Sequence, residues 1–255
     1  MSEPSPVLDQ LVALSRSLGE PARDLVILGE GNTSAKVDDR TFLVKASGTE
    51  LRTIDASGFV GVSLPRALAT LDGPDLSDAE VKRALQESKV DPDDPRMPSV
   101  ETFLHAYLLS LPGVSFVGHT HPTAVNSILC SANAREAVSG RLFPDEIVCC
   151  GPAVCFIEYV DPGLVLARAL RKAVEAFIEE QNMPPKVILM QNHGLIAAGG
   201  SVRDVETITS MYVKTARVLL GTLAFGGPRY MTADNVARIH TRPDESYRRQ
   251  MLGTR

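Results

Sequence analysis

Apolar positions recur at helical spacing near the start of the chain. Val7, Leu8, Leu11, Val12 and Leu14 predict a helix over residues 6–18. Leu25-Val26-Ile27-Leu28 is a short apolar run stopped by Gly29-Glu30-Gly31-Asn32, a pattern that predicts a strand running into a tight turn. Residues 34–39 and 41–47 read as a hairpin around Asp38-Asp39-Arg40, and Phe59–Val62 as a further short strand. Residues 72–98 are the most polar part of the chain. Within them Asp78 to Glu87 predicts a short surface helix. Asp91 to Pro98 is kept out of any helix interior by its three prolines, which remove donors and clash with the preceding turn.

Ser99 is expected to start a helix with Val100, Phe103, Leu104, Tyr107, Leu108 and Leu111 on its apolar stripe. Val114 to His121 predicts a strand, Thr123 to Ala132 a helix, and Ile147 to Val160 one or two strands broken at Gly151-Pro152. An amphipathic helix follows over Gly163 to Asn182. Lys186 to Met190 reads as a buried strand, Leu195 to Ala198 follows a turn at Asn192-His193-Gly194, and residues 202–222 form a last long helix. Interleaved helices and strands with hairpins predict an α/β fold. The expectation is a single three-layer α/β/α domain over residues 1–255 with a central, mostly antiparallel sheet. A polar loop around 72–98 and a C-terminal tail around 226–255 complete it.

Composition narrows the function classes. Hydrophobic residues at 44% and charged residues at 22% fit a globular chain. A net charge of -5 without long runs of one sign argues against a nucleic-acid or membrane-surface partner, while a few local donors can still hold a small anion. Tryptophan is absent, so no stacking platform for sugars is advertised. No apolar run reaches the ~18 residues of a membrane span. The N-terminal MSEPSPVLDQ has no basic region ahead of an apolar core, so a signal peptide is not expected and a cytoplasmic location is. Cys130, Cys149, Cys150 and Cys155 form no C-x-x-C pair and are expected to be free thiols, the last three buried.

Three of the five histidines are placed like metal ligands. His119 and His121 lie two apart at a strand end, where side chains point to one face. His193 sits at another strand-to-turn junction. Catalytic zinc takes three protein ligands and keeps a fourth position open, a need that two plus one imidazoles meet. Apolar neighbours such as Val187 to Met190 mark these strands as interior, where polar side chains require partners. Glu101, in a helix start with Ser99 as N-cap, either complements the helix dipole or serves as an acid/base beside a metal. His105, four residues on, and His240 read as structural. The turns Gly29–Ser34 and Ser47-Gly48-Thr49 offer backbone N–H groups to an anion but match neither a Walker loop nor G-x-G-x-x-G. Lys45 lies two positions before Ser47, on the same strand face.

Taken together, GEGNTS (29–34), KASGT (45–49), PSVET (98–102), GHTHP (118–122) and QNHG (191–194) resemble the class II aldolase/adducin-like family, in the family's order. The resemblance implies a mostly antiparallel sheet covered by helices and a homotetramer with its active site between neighbouring subunits. Its implied ligands for one Zn2+ per subunit are His119, His121 and His193, with Glu101 as the acid/base and Asn32, Ser47, Gly48 and Ser99 as phosphate contacts. The implied substrate is a small phosphorylated sugar. The implied reaction is cleavage of a ketose 1-phosphate to dihydroxyacetone phosphate and a small aldehyde. Dehydratase, decarboxylase, 4-epimerase and non-catalytic adducin-like readings stand beside it; Glu101 argues against the epimerases and the intact histidine trio against the adducin head. In some relatives a tail tyrosine of a neighbouring subunit takes part, which makes Tyr230 and Tyr247 candidates. The long segment before Glu101 resembles the aldolase part of rhamnulose-phosphate aldolase/dehydrogenase fusions. Val100 stands where many members have a second serine.

Overall fold

The computed structural model describes residues 6–244. The described residues divide into two compact units, one of residues 6–120 and 160–172, the other of residues 121–159 and 173–244.

The first unit opens with α1 (Pro6–Leu18), which buries Leu11, Leu14 and Leu18 at i, i+3, i+7 spacing and carries Asp9 in its first turn and Arg16 in its last. The expected strand at Leu25–Leu28 does not form. Asp24 (φ 55°) and Leu28 (φ 50°) adopt left-handed backbone that a strand cannot contain, and the Glu30 carboxylate accepts the Ile27 N–H instead. β1 (Asn32–Lys36) and β2 (Thr41–Lys45) form the expected hairpin, with the Asp38 carboxylate accepting the Arg40 N–H in the turn. β3 (Phe59–Ser63) pairs antiparallel with β2. Then come α2 (Leu64–Asp72) and α3 (Asp78–Ser88), the latter opened by a capping box of Ser77 and Glu80.

The proline-rich segment after α3 is pinned. The Arg96 guanidinium grips both oxygens of Asp94 (2.8 and 2.6 Å) and donates to the Ser57 carbonyl, while Lys89 donates to the Asp94 carbonyl. α4 (Thr102–Ser110) begins later than expected, with Glu101 rather than Ser99 at its N-cap position. The reason is that the chain is still extended at Ser99: Ala46 bridges Pro98, and Ser99 donates its N–H to Lys45. Residues 102–109 of α4 are all buried, so the helix has no polar face. β4 (Phe116–Thr120) pairs antiparallel with β1 and is buried throughout.

The second unit holds α5 (Thr123–Leu129), α6 (Ala134–Ala137), α7 (Pro144–Cys150) and β5 (Cys155–Ile157). The region from Ile147 to Cys150 is helix rather than strand. Pro144 at the first helical position, Asp145 and Glu146 in the first turn and Gly151 (φ 87°) past the end are helix boundaries that outweigh the apolar run. α8 (Leu164–Gln181) leads into β6 (Val187–Met190) and β7 (Gly194–Gly199), an antiparallel pair, and β5 lies parallel to β6. α9 (Val202–Thr222) is capped by Ser201, and α10 (Ala233–Thr241) by Thr232. In the first unit the strands lie in the order β3-β2-β1-β4, and in the second β7-β6-β5. Four of the described pairings are antiparallel, so the fold is the expected mixed α/β one, its strands mostly antiparallel with helices around them.

Candidate active site

β1 is the strand from which the site is built. Its alternate side chains go to opposite faces. Thr33 meets Ser15 of α1 (2.6 Å), whereas Ser34 meets His105 of α4 (2.7 Å). Asn32, on the α4 face, stands opposite His119 of β4 in the antiparallel register.

The buried amide of Asn32 donates to the Glu101 carboxylate at Oε2 (2.7 Å) and to Ser99 Oγ (3.2 Å). Its carbonyl oxygen accepts from His105 Nε2. Oε2 of Glu101 also lies 3.5 Å from His119 Nε2. The carboxylate is therefore 5% exposed, at a helix start, between an amide and an imidazole. Burial drives the pKa of His105 down to about 4 against the pull of the Glu101 charge, so this imidazole is neutral.

Two turns flank this cluster. Gly31 has φ +67°, and a Cβ there would stand 2.6 Å from the His119 carbonyl oxygen, so only glycine lets the first turn press against β4. The second turn, at Ser47 and Gly48 (φ +81°), is exposed, with Ser47 donating its N–H to Met97, while Ser99 donates its own to Lys45. Lys45 braces both turns. Its ammonium is buried and donates to the carbonyls of Gly29 (3.1 Å) and Thr49 (2.5 Å), and burial lowers its pKa. Ser47, Pro98 and Val100 also line a cavity of about 540 Å³ shared with Lys82 and Arg168 but with no histidine.

His193 comes from the tight link between β6 and β7. Asn192 takes the left-handed backbone (φ 55°) that asparagine tolerates, and His193 donates its N–H back to Met190 (3.1 Å). The Asn126 amide of α5 holds the His193 carbonyl at 3.0 Å, and Asn192 donates to Leu129. The His193 ring meets that of His121 edge-on, with centroids 5.2 Å apart. His119 stands near the end of β4 in the first unit, and His121 and His193 face each other in the second. Imidazole nitrogens of this kind are a donor type that fits a divalent ion with an open position.

Other sequence candidates go elsewhere. Tyr230 donates its hydroxyl to the Ala137 carbonyl (2.8 Å), and burial raises its pKa. Tyr247 lies outside the described residues. His240 is half-buried on α10. Cys149, Cys150 and Cys155 are buried free thiols as expected, and burial raises the pKa of Cys155 to about 12, which suppresses thiolate. Cys130 is free and exposed. Sequence reasoning missed the bracing role of Lys45 and the engagement of Asn32 with Glu101. The four-residue spacing of Glu101 and His105 pointed only to a supporting role for His105 beside Glu101.

Comparison with known proteins matches residues 9–220 to the class II aldolase and adducin N-terminal domain family. A curated relative, the uncharacterized oxidoreductase YuxG of Bacillus subtilis (strain 168), is 30% identical over 220 residues, 83% of this chain. The chain spans only 28% of that protein's length. Among solved structures, the N-terminal class II aldolase domain of a conserved Thermoplasma acidophilum protein is 29% identical, with a TM-score of 0.68 over 86% of this chain and 96% of that one. An L-fuculose 1-phosphate aldolase shares the fold at 19% identity, with a TM-score of 0.70 over 96% of this chain and 97% of that one. Among the described residues no helix is long and apolar enough to cross a membrane.

Proposed function

Because the chain belongs to the class II aldolase and adducin N-terminal domain family, we propose that it is a zinc-dependent aldolase. It reversibly cleaves a ketose 1-phosphate to dihydroxyacetone phosphate and a small aldehyde. The observation that carries this reading is the Glu101 carboxylate 3.5 Å from His119, in a chain that also presents His121 and His193 edge-on to each other.

His119, His121 and His193 hold the metal. When bound, zinc supplies Lewis-acid stabilisation of the charge that develops on substrate oxygens as the C3–C4 bond breaks. Glu101 moves the proton at the carbon that becomes part of dihydroxyacetone phosphate. Its N-cap position, fixed by Asn32 and Ser99, keeps it ready for that transfer. The exposed turn at Ser47 and Gly48 takes the phosphate, with Ser99 beside it. Asn32 reaches the phosphate by exchanging the bond it now makes to Ser99. The family's tetrameric assembly, with the site between subunits, belongs to the same proposal.

The test offers the zinc-supplied protein L-fuculose, L-rhamnulose, 5-deoxyribulose and ribulose 1-phosphates and measures dihydroxyacetone phosphate. Release is expected from at least one. Chelation should abolish it, and Glu101→Gln should lower it about 100-fold or more with metal retained. No release from any of them, with metal bound, overturns the aldolase reading in favour of a dehydratase or decarboxylase on the same scaffold.

A further inference from the structure

We infer that His105 is a positioning residue for Glu101, acting through the side-chain amide of Asn32. The inference rests on the reading of Glu101 as the acid/base of this site.

The chain of contacts has only one consistent direction. Asn32 must present its NH2 to Glu101, because a carboxylate accepts and cannot donate, so its carbonyl oxygen faces His105 Nε2. An amide oxygen only accepts, so His105 Nε2 carries the hydrogen. His105 Nδ1 is then the acceptor, and the Ser34 hydroxyl donates to it (2.7 Å). Ser34, His105, Asn32 and Glu101 thus form one polarised line from the interior of β1 to the carboxylate.

Each member is buried, and His105 and Ser34 are wholly so. Without His105, an Asn32 side chain flipped by half a turn would set its carbonyl against the carboxylate at nearly the same cost in shape. The carboxylate disfavours the flipped amide, and the imidazole N–H adds to that preference. It stabilises the one amide orientation that donates to both Glu101 and Ser99. The neutral state of His105 belongs to this role, since a protonated ring would lose the Ser34 hydroxyl as donor.

The experiment compares zinc-loaded His105→Phe, His105→Gln and Ser34→Ala with the parent. Phenylalanine keeps the ring and removes both nitrogens. Glutamine returns a donor to the neighbourhood of Nε2. With a substrate that releases dihydroxyacetone phosphate, His105→Phe is expected to lower kcat about 10- to 100-fold with KM within about 3-fold. His105→Gln should recover most of that loss, and Ser34→Ala should show a smaller fall in kcat. Melting curves and metal content verify that each variant is folded and loaded. Crystal structures of the variants should show the Asn32–Glu101 bond lost in His105→Phe and kept in His105→Gln.

A folded His105→Phe with parental kcat overturns the inference, and so does a glutamine variant no better than phenylalanine. Should His105→Phe not fold, Ser34→Ala and His105→Gln decide: parental kcat in the first together with a loss of about 10-fold or more in the second overturns it. If Glu101→Gln leaves release unimpaired, or no substrate is cleaved, the acid/base reading has failed. The crystallographic arm then decides the positioning alone, because it needs no turnover, and an Asn32–Glu101 bond intact in His105→Phe rejects it.

Discussion

A carboxylate can serve as an acid/base only if something holds it, and at this site much of the holding is done by backbone. Gly31 is the clearest case. Its left-handed conformation and the 2.6 Å that a Cβ would leave to the His119 carbonyl oxygen set β1 against β4, and with it Asn32 against His119. Gly31→Ala meets a backbone atom that has no flexible end to move aside. It is expected to cost about 2–4 kcal/mol, read as a lower urea midpoint at unchanged slope. Gly29→Ala is the control, since a Cβ there meets nothing within 4 Å, and it should stay within about 0.5 kcal/mol. Equal losses in the two would remove the close-approach argument. The candidate histidines were legible in the sequence because a strand end and a tight turn mark them individually with no knowledge of pairing. The partner of Asn32 was not. Glu101 stands 69 positions away, and only the register of β1 against β4 and the pairing of Ala46 with Pro98 bring the two together.

At the scale of elements, the hairpin, α1, α8, α9 and the strands from β3 to β7, other than the end of β5, followed from period and turn residues. The misses have local causes. Leu25–Leu28 has an apolar strand composition but no paired edge, and two left-handed residues fold it into a loop. Residues 147–150 were read by their apolar run, although Pro144 and Gly151 bracketed a helix. α10 lay in what looked like a tail, and its attachment depends on contacts far away in sequence. Tyr230 packs over Gly140, where a Cβ would come within 2.3 Å of its ring, and donates to Ala137, while Met231 donates its N–H to Arg141. Gly226 and Gly227, both left-handed, lead into this latch. Gly140→Ala should displace the Tyr230 ring and loosen α10. Trypsin should then cut at Arg229 or Arg238 several-fold faster, whereas Tyr230→Phe, which loses one hydrogen bond and keeps the packing, should change the rate less. Equal cleavage of parent and Gly140→Ala would show that α10 is held by other contacts.

The stability of the whole molecule against acid depends on groups whose folded pKa values differ from their unfolded ones. His105 has an ordinary value of 6.5 and a folded value of about 4, because burial opposes its charge. As pH falls below 6.5 the unfolded chain takes the proton first. The contribution is therefore complete above pH 6.5 and is lost as pH falls through 4. Asp94 adds a second loss further down, between its ordinary 3.8 and about 2, where Arg96 holds its carboxyl. Glu146 works in the other sense. Burial raises its carboxyl above the ordinary 4.5, and protonation there favours the folded state even though Arg141 pairs with it. The net slope mixes these effects, so the informative quantity is a difference between two proteins. Urea unfolding of parent and His105→Gln, both metal-free so that the histidine group titrates alike in each, isolates one site. Between pH 7.5 and pH 5 the parent should lose about 2 kcal/mol more than the variant. Parallel losses would mean that the unfolded chain gains no protons at His105 that the folded chain refuses. The imidazole would then be charged in its cavity, and the polarised line from Ser34 to Glu101 could not run as drawn.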